Sequence, residues 1–561
     1  MSGAHVLPAE AFDQLLGGGG DPAAVAGLRA SERSWRLLVV RALLDASDEV
    51  PEDAWRLLMR ARVADGAAFE ELLAYPAVGV WAAHTLRRLR GSVAGDTPPD
   101  TGYLHAVAAS AAIRAGLDFW IGIPVREGWA VLPALGAMRV AAGQETVEVS
   151  ACAGRVEVGG RALDGPDWHP LARLRADGCG LLLDDTDPYR TLRTPTRAEP
   201  VPADAWQELF TEAWDILRGL DEDAARALAD GLVTLVPRPR AERFRPHSAS
   251  SGDAFGAALA SLPDDGEQLA STLVHEFQHN KLSAFMHLFT LYEDQSGSRR
   301  LHYAPWRDDP RPLGGLLQGV YAFFGVTGFW RRRQHPLGRF EFALWREQTA
   351  YALRGIGDAE GLTDLGRRLV AELQGRLAPW LAEPVAEPAR TAAELAVADH
   401  RATWRAYHLR PDPRVVRAHA EGRPGETGEP ELVPGTPARG FDTRAVLLRW
   451  LLADPAGFDA LRADPGATVE GARPEDVALV TGDAKTALGL CRERIVRGDG
   501  DPESWVGLGL AARAAGDPAG EALLARPELV MAVHTERGGA ADPLDVARSL
   551  LSCPARPAPR R

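Results

Sequence analysis

The stretch GEQLASTLVHEFQHNKLSAFMHLFTLY, residues 266–292, decides how this chain is read. Apolar residues cover much of its helical surface, the pattern of a buried central helix. Asp264 or Asp265 supplies a start for that helix, and AFGAALASLP at 254–263 reads as a strand leading into it. Inside the helix, His275-Glu276-Phe277-Gln278-His279 sets two imidazoles at i and i+4. They lie one turn apart on one face, where both can reach a single metal ion. Glu276 lies about 100° round from His275 and can approach a metal-bound water without being a ligand, as the general base of zinc peptidases does. A pattern with three fixed positions also arises by chance, on an amphipathic helix with two ordinary histidines. Burial of the helix favours the metal, because buried polar groups need partners.

A metal site needs a third protein ligand. A histidine six residues after His279 would be the compact solution, but position 285 is Phe. His287 is about 12 Å further along the same helix, too far to join the pair. A downstream helix must therefore supply the ligand. Glu341 and Glu347, in RFEFALWREQ, fit that logic, although either also suits a solvated helix face; Gln318 and His302 are weaker options. Between them lies Tyr303-Ala-Pro-Trp306-Arg307-Asp308-Asp309-Pro310-Arg311-Pro312. Its prolines restrict the backbone and can aim Arg307 and Arg311, whose rigid guanidinium groups recognise carboxylates bidentately. The plainer reading is a surface loop with ordinary Arg–Asp pairs. Lys281 is either an exposed helix charge or a pocket cation. Trp306, Tyr303 and Trp330 are pocket aromatics or core packing.

Outward from the motif, residues 1–117 show helical periodicity, and 118–202 hold short β-branched stretches that suggest a small antiparallel sheet. Residues 203–408 are expected to form a helical catalytic core, 409–440 a linker rich in Pro, Gly and charge, and 441–561 a helical repeat-like region. The expected fold class is α+β, predominantly helical, around a zincin-like HExxH helix. Lys and Arg number 63 against 77 Asp and Glu, a net charge of −14 in 561 residues. That balance speaks against broad nucleic-acid or anionic-membrane binding. Cys152, Cys179, Cys491 and Cys553 are scattered without a CxxC pair, which argues against a disulfide framework or a cysteine zinc site. With no signal-peptide pattern and no run of about 18 apolar residues, a cytoplasmic protein is expected.

LVHEFQHNKLSA followed by YAPWRDDPRPLGGLLQGVYAF resembles the HExxH-motif peptide-modification family of ribosomal peptide natural product pathways, described as 2-oxoglutarate-dependent HExxH-type peptide β-hydroxylases. GYLHAVAASAAIRAGLDFWIGIPV, LLLDDTDPYR, HSASSGDAFGAALASLP, PESWVGLGLA and RPELVMAVH extend the likeness over nearly the whole chain. The resemblance implies that His275 and His279 bind Fe(II) together with one further protein ligand, Glu341 being the first candidate. It implies that Arg311, then Arg307, with Lys281, hold the 2-oxoglutarate carboxylates. Glu276 would then orient a histidine or a bound water. The implied reaction couples decarboxylation of oxoglutarate to hydroxylation of a Cβ–H in a precursor peptide. In one respect the chain departs from the pattern: its LLQGVYAF helix carries Gln318 and Phe323 where some relatives have a histidine. Two other readings stand beside this one, a zinc metallopeptidase that trims such a peptide and a non-catalytic scaffold that presents it on the helical C-terminal region.

Overall fold

The computed structural model describes residues 5–46, 51–94, 98–191, 196, 199–293, 300–423, 428–433, 435–437 and 440–551. Cys553 and the C-terminal CPARPAPRR lie outside them. With 22 α-helices and several short-stranded sheets among the described residues, the fold is α+β and predominantly helical. The chain divides into two compact units, Met1–Leu291 and Tyr292–Arg561.

In the first unit, helices Glu52–Ala64, Pro76–Leu89 and Tyr103–Arg114 share a hydrophobic core with an antiparallel sheet. Its strands are β1 (Phe119–Arg126), β2 (Trp129–Leu132), β3 (Gly136–Arg139), β4 (Thr146–Cys152), β5 (Arg155–Val158), β6 (Arg161–Ala162) and β7 (Trp168–Pro170), in the order β6-β5-β4-β1-β2-β3-β7. Alternation builds it: Phe119, Ile121 and Ile123 point inward while Trp120 is 77% exposed. Two-residue turns with positive φ at both positions, Glu127-Gly128 and Ala153-Gly154, set the registers Arg126↔Trp129 and Cys152↔Arg155.

A second sheet combines β8 (Ala172–Ala176), β9 (Cys179–Leu183), β10 (Thr234–Arg238), β11 (Ser248–Ala249) and β12 (Ala257–Ser261) in the order β11-β12-β10-β9-β8. The central strands β9, β10 and β12 are parallel, whereas β8 and β11 run antiparallel at the edges. This sheet draws strands from both sides of residue 203. The stretch read as a separate β-rich region therefore shares a layer with the start of the expected catalytic core. The unit boundary falls instead at 291/292, inside the 203–408 stretch.

LLLDDTDPYR leaves β9 into the interior. Asp184, Asp185, Asp187 and Arg190 are all buried. Tyr75 donates to Asp184 at 2.5 Å and Tyr103 to Asp187 at 2.6 Å, while Asp185 meets His169 at 3.0 Å. Burial, then the neighbouring Asp184, pushes Asp187 up to about 7. A carboxyl that holds its proton more tightly folded than unfolded stabilises the fold fully below its unfolded pKa, near 3.8, and loses that contribution as pH rises through about 7. Stability of the first unit is thus expected to fall by a few kcal/mol between pH 4 and 8. Asp187→Asn, which keeps an acceptor for the Tyr189 amide, should flatten that slope; an unchanged slope in thermal melts across this range would refute the assignment.

In the second unit, Leu313–Arg331, Pro336–Ile356, Asp364–Leu381 and Ala389–His408 are long helices. Leu313–Arg331 has the length and mean hydropathy, 1.2, of a membrane span, yet 67% of that window is buried inside the protein, so it is a core helix. Where a linker was expected, Leu409–Arg410 pairs with Glu431–Leu432, and Pro413–Ala420 is helical. The repeat-like tail is a set of short helices; Asp483 and Asp501 cap Ala484–Val496 and Pro502–Ala514, which pack together.

Candidate functional site

The motif helix runs Gly266–Leu288, capped by Asp265, whose side chain accepts from the Gln268 amide at 2.8 Å. Glu212 covers Gly266 so closely that a Cβ there would lie 2.5 Å from its side chain. Leu269, Leu273, Phe277 and Phe285 bury the helix in the first unit. Its attachment to the sheet is polar. Asn280, 1% exposed, accepts from the Gly256 amide at 2.6 Å and donates to the Ala257 carbonyl at 3.0 Å. Both partners lie at the start of β12, so one amide side chain sets the depth of the motif against the sheet.

On the face this creates, the His275 and His279 Nε2 atoms face one another at 3.1 Å, with ring planes at 80°. Two imidazole nitrogens bound about 2.0–2.1 Å from one ion lie about 2.8–3.4 Å apart for angles between octahedral and tetrahedral. The pair fits a shared metal. Burial and the facing His279 hold His275 well below the usual histidine range, in the neutral form a metal takes. Glu276 is 1% exposed, with Oε1 3.9 Å from His275 Nε2. Neither carboxylate oxygen has a hydrogen-bond partner among the described residues. Burial raises its pKa; His279 and the nearby Ser248 and Ser250 side chains oppose the rise.

The other face of the helix grips the glycine-rich turn near the N-terminus. Gln278 donates to the Gly18 carbonyl at 3.0 Å and Lys281 to the Gly19 carbonyl at 2.7 Å. Lys281 is about 200° round from His279, and burial pushes its ammonium down to about 7. His287 is also engaged, with Nδ1 2.7 Å from Glu32 and its ring stacked on Trp35.

The remaining candidates belong to the second unit. Leu301–His302 pairs with Arg311–Pro312 and closes the loop Tyr303–Pro310, with His302 opposite Arg311. Arg307 Nε and Arg311 Nη1 converge on the Asp309 carboxylate at 2.6 and 3.1 Å. His408 steadies the loop: its Nε2 donates to the Asp308 carbonyl at 2.6 Å while its Nδ1 accepts from the Gly435 amide at 3.1 Å. Trp306 stacks on Phe323 with centroids 4.8 Å apart, and a Cβ on Gly319 would lie 2.1 Å from its ring. Gly319→Ala should therefore cost about 1–3 kcal/mol, while Trp306→Ala in the same chain recovers part of the loss. Purely additive losses in denaturant titrations would sink that account.

The Tyr303 hydroxyl and His400 Nδ1 share a hydrogen bond of 2.9 Å, and Trp330 is buried against Phe329; both serve packing. Glu341 is buried and held by Arg449 at 2.6 and 3.2 Å. Glu347 is 47% exposed beside Arg346, and Gln318 is half-buried on the Leu313–Arg331 helix. Among the described residues, no third His, Cys, Asp or Glu joins the histidine pair to complete a metal-binding group. Asn280, Ser248 and Ser250 were not singled out from the sequence as parts of the site. The asparagine directly after the second histidine was their nearest sequence signal. Compared with known proteins, the chain matches no family model, and no curated protein matches it either.

Proposed function

We propose that this chain is a cytoplasmic Fe(II)- and 2-oxoglutarate-dependent hydroxylase of a ribosomally made precursor peptide. The observation that carries the metal is the pair of Nε2 atoms facing each other at 3.1 Å beside a buried carboxyl. The choice of iron and oxoglutarate rests on the resemblance of the longer motifs. Bound there, iron with oxoglutarate would supply the oxidising power for a Cβ–H hydroxylation.

The chain's own residues then have distinct tasks. His275 and His279 offer their facing Nε2 nitrogens, with Asn280 fixing the helix that bears them. Glu276, adjacent to the pair and shielded from water, orients a ligand or holds a proton. Arg311 and Arg307 hold carboxylate, a role that rests on the resemblance, since in the structure both are engaged by Asp309 as the plainer reading expects. Lys281 is not carried into the proposal, because its ammonium bonds Gly19 on the opposite side of the helix. Completing the coordination takes one further protein ligand, and Glu341, Glu347, His302 and Gln318 are the residues to substitute.

The raised pKa of Glu276 also suits the general base of a zinc peptidase, which is the second reading. Anaerobic loading with Fe(II), then oxoglutarate, air and the precursor peptide encoded nearby, separates the two. Peptide-dependent succinate with a mass gain of one oxygen supports the hydroxylase. Peptide cleaved in the absence of oxoglutarate overturns it in favour of the peptidase.

A further inference from the structure

The outward face of the antiparallel sheet carries an indole that the chain leaves uncovered. β1 is the fourth of its seven strands, and Trp120 on it is 77% exposed between the buried Phe119 and Ile121. An indole is ordinarily covered by aromatic or β-branched neighbours across the ladder. Here Ser150 stands directly opposite on β4, and Glu148 lies diagonally beyond it. Gly122 follows on the same face, paired with Glu148. Neither common reason for a glycine applies to it. It is not among the glycines with positive φ, and a Cβ there would meet no atom within 4 Å beyond its chain neighbours. A glycine inside a strand weakens it, and without a turn or internal packing to serve it marks close approach by a ligand or another backbone. The result is a notch. Gly122 is its floor, Trp120 and half-buried Pro124 bound it along the strand, and Glu148 bounds it across.

Negative charge surrounds the indole. Asp118 lies just before β1, Glu145 just before β4, and Glu157 faces Ser150 from β5. The cations nearby are already placed: Arg155 pairs with Glu157 at 2.8 Å, and Arg60 donates to the Asp118 carbonyl at 3.3 Å. The Asp118 carboxylate accepts from the Ala153 amide at 2.9 Å. Glu145 and Glu148 are exposed and enter no ion pair among the described residues. A carboxylate with no counter-charge thus stands beside a bare aromatic face and an empty floor.

We propose that this face docks an arginine-bearing peptide segment of a partner, with one guanidinium stacked on Trp120 over Gly122 and paired with Glu148. A guanidinium is planar and weakly hydrated, so it stacks on an aromatic face while its edge serves a carboxylate. Charge complementarity selects the occupant. An apolar partner would cover Glu148 without pairing it, and an anionic one would meet two unpaired carboxylates. This docking needs neither the metal nor the hydroxylase chemistry, and it goes beyond both.

The test uses the full chain without added metal and reads fluorescence anisotropy of labelled synthetic peptides of about nine residues. One alternates Arg with Ser; the other carries citrulline, the neutral isostere, in place of every Arg. The Arg peptide is expected to bind, with affinity falling as salt rises. The citrulline peptide should bind at least about tenfold more weakly. Trp120→Leu keeps apolar bulk without the aromatic face, and Glu148→Gln removes the charge at nearly constant shape. Each should cost the Arg peptide about threefold or more. Gly122→Val separates binding from folding, because a β-branched residue favours the strand while its methyl groups fill the notch. Affinity should fall by a similar factor while the melting temperature holds or rises. Equal binding of the two peptides, or an Arg-peptide affinity unchanged in Trp120→Leu, Glu148→Gln or Gly122→Val, overturns the proposal. Self-association of the chain that Trp120→Leu abolishes would seat a second copy on this face and overturns it as well.

Discussion

His275→Ala or His279→Ala is expected to abolish tight uptake of Fe(II), or of Co(II) as a spectroscopic probe, with little change in thermal stability. Losing a residue that merely supports a ligand already costs about 10–100-fold in metal affinity, so losing one of two imidazole ligands should cost more. The fold should tolerate the change because other side chains hold the helix in place. Asn280 does that through Gly256 and Ala257, and Leu269, Leu273 and Phe285 fill the core. Both rings are half-buried with their Nε2 atoms turned toward each other, so truncating either one breaks the pair. Metal titration followed by circular dichroism checks both halves of this expectation. Undiminished metal uptake in both variants would end the enzymatic reading, and peptide modification that survives them would leave only the scaffold. Glu276→Gln then divides the remaining possibilities. Gln keeps the shape but cannot take up a proton, so a peptidase should lose nearly all activity, whereas a hydroxylase that uses Glu276 for orientation should keep part of it.

The elements that sequence revealed best are those with a local cause. The motif helix starts at its aspartate cap and follows a strand, because capping and periodicity are written within a few residues. The i, i+4 histidines converge for the same reason. What stayed hidden depends on partners distant in the chain. β9 pairs with β10 some fifty positions later, and nothing in CGLLL announces a parallel neighbour; hence the expected boundary near 203 and the observed one at 291/292. The partner of Lys281 is a backbone carbonyl more than 250 residues away, so no spacing rule could have turned its ammonium from the histidine face. Glu341 likewise looks free in RFEFALWREQ, yet Arg449 meets it from a helix beyond the expected linker. Residue type shows what a side chain can do, and long-range packing decides whether it is already engaged.

Arg444 should produce the largest stability loss of any substitution in the second unit. It is 2% exposed, on the helix Thr443–Ala453. Its Nε donates to Asp476 at 2.7 Å, Nη2 donates to the Glu503 carbonyl at 2.9 Å, and Nη1 pairs with Asp399. Asp399 and Asp476 are themselves buried. One guanidinium therefore neutralises two carboxylates and joins helices Ala389–His408, Pro474–Val480 and Pro502–Ala514. Arg444→Met keeps the bulk but leaves both carboxylates without their counter-charge, which costs about 3–5 kcal/mol. Arg444→Lys should fall between, since a single ammonium cannot fork to all three acceptors. Adding Asp399→Asn and Asp476→Asn to Arg444→Met should recover stability by removing the stranded charges. With two units present, a single unfolding midpoint is ambiguous, so the proper readout is hydrogen exchange in peptides covering 443–453 and 502–514. Unchanged protection there in Arg444→Met would show that the cluster does not hold these helices together. Faster exchange should also reach Arg449 on the same helix and loosen its grip on Glu341. Metal affinity in the Arg444 variants would then report whether that carboxylate has any part in metal binding.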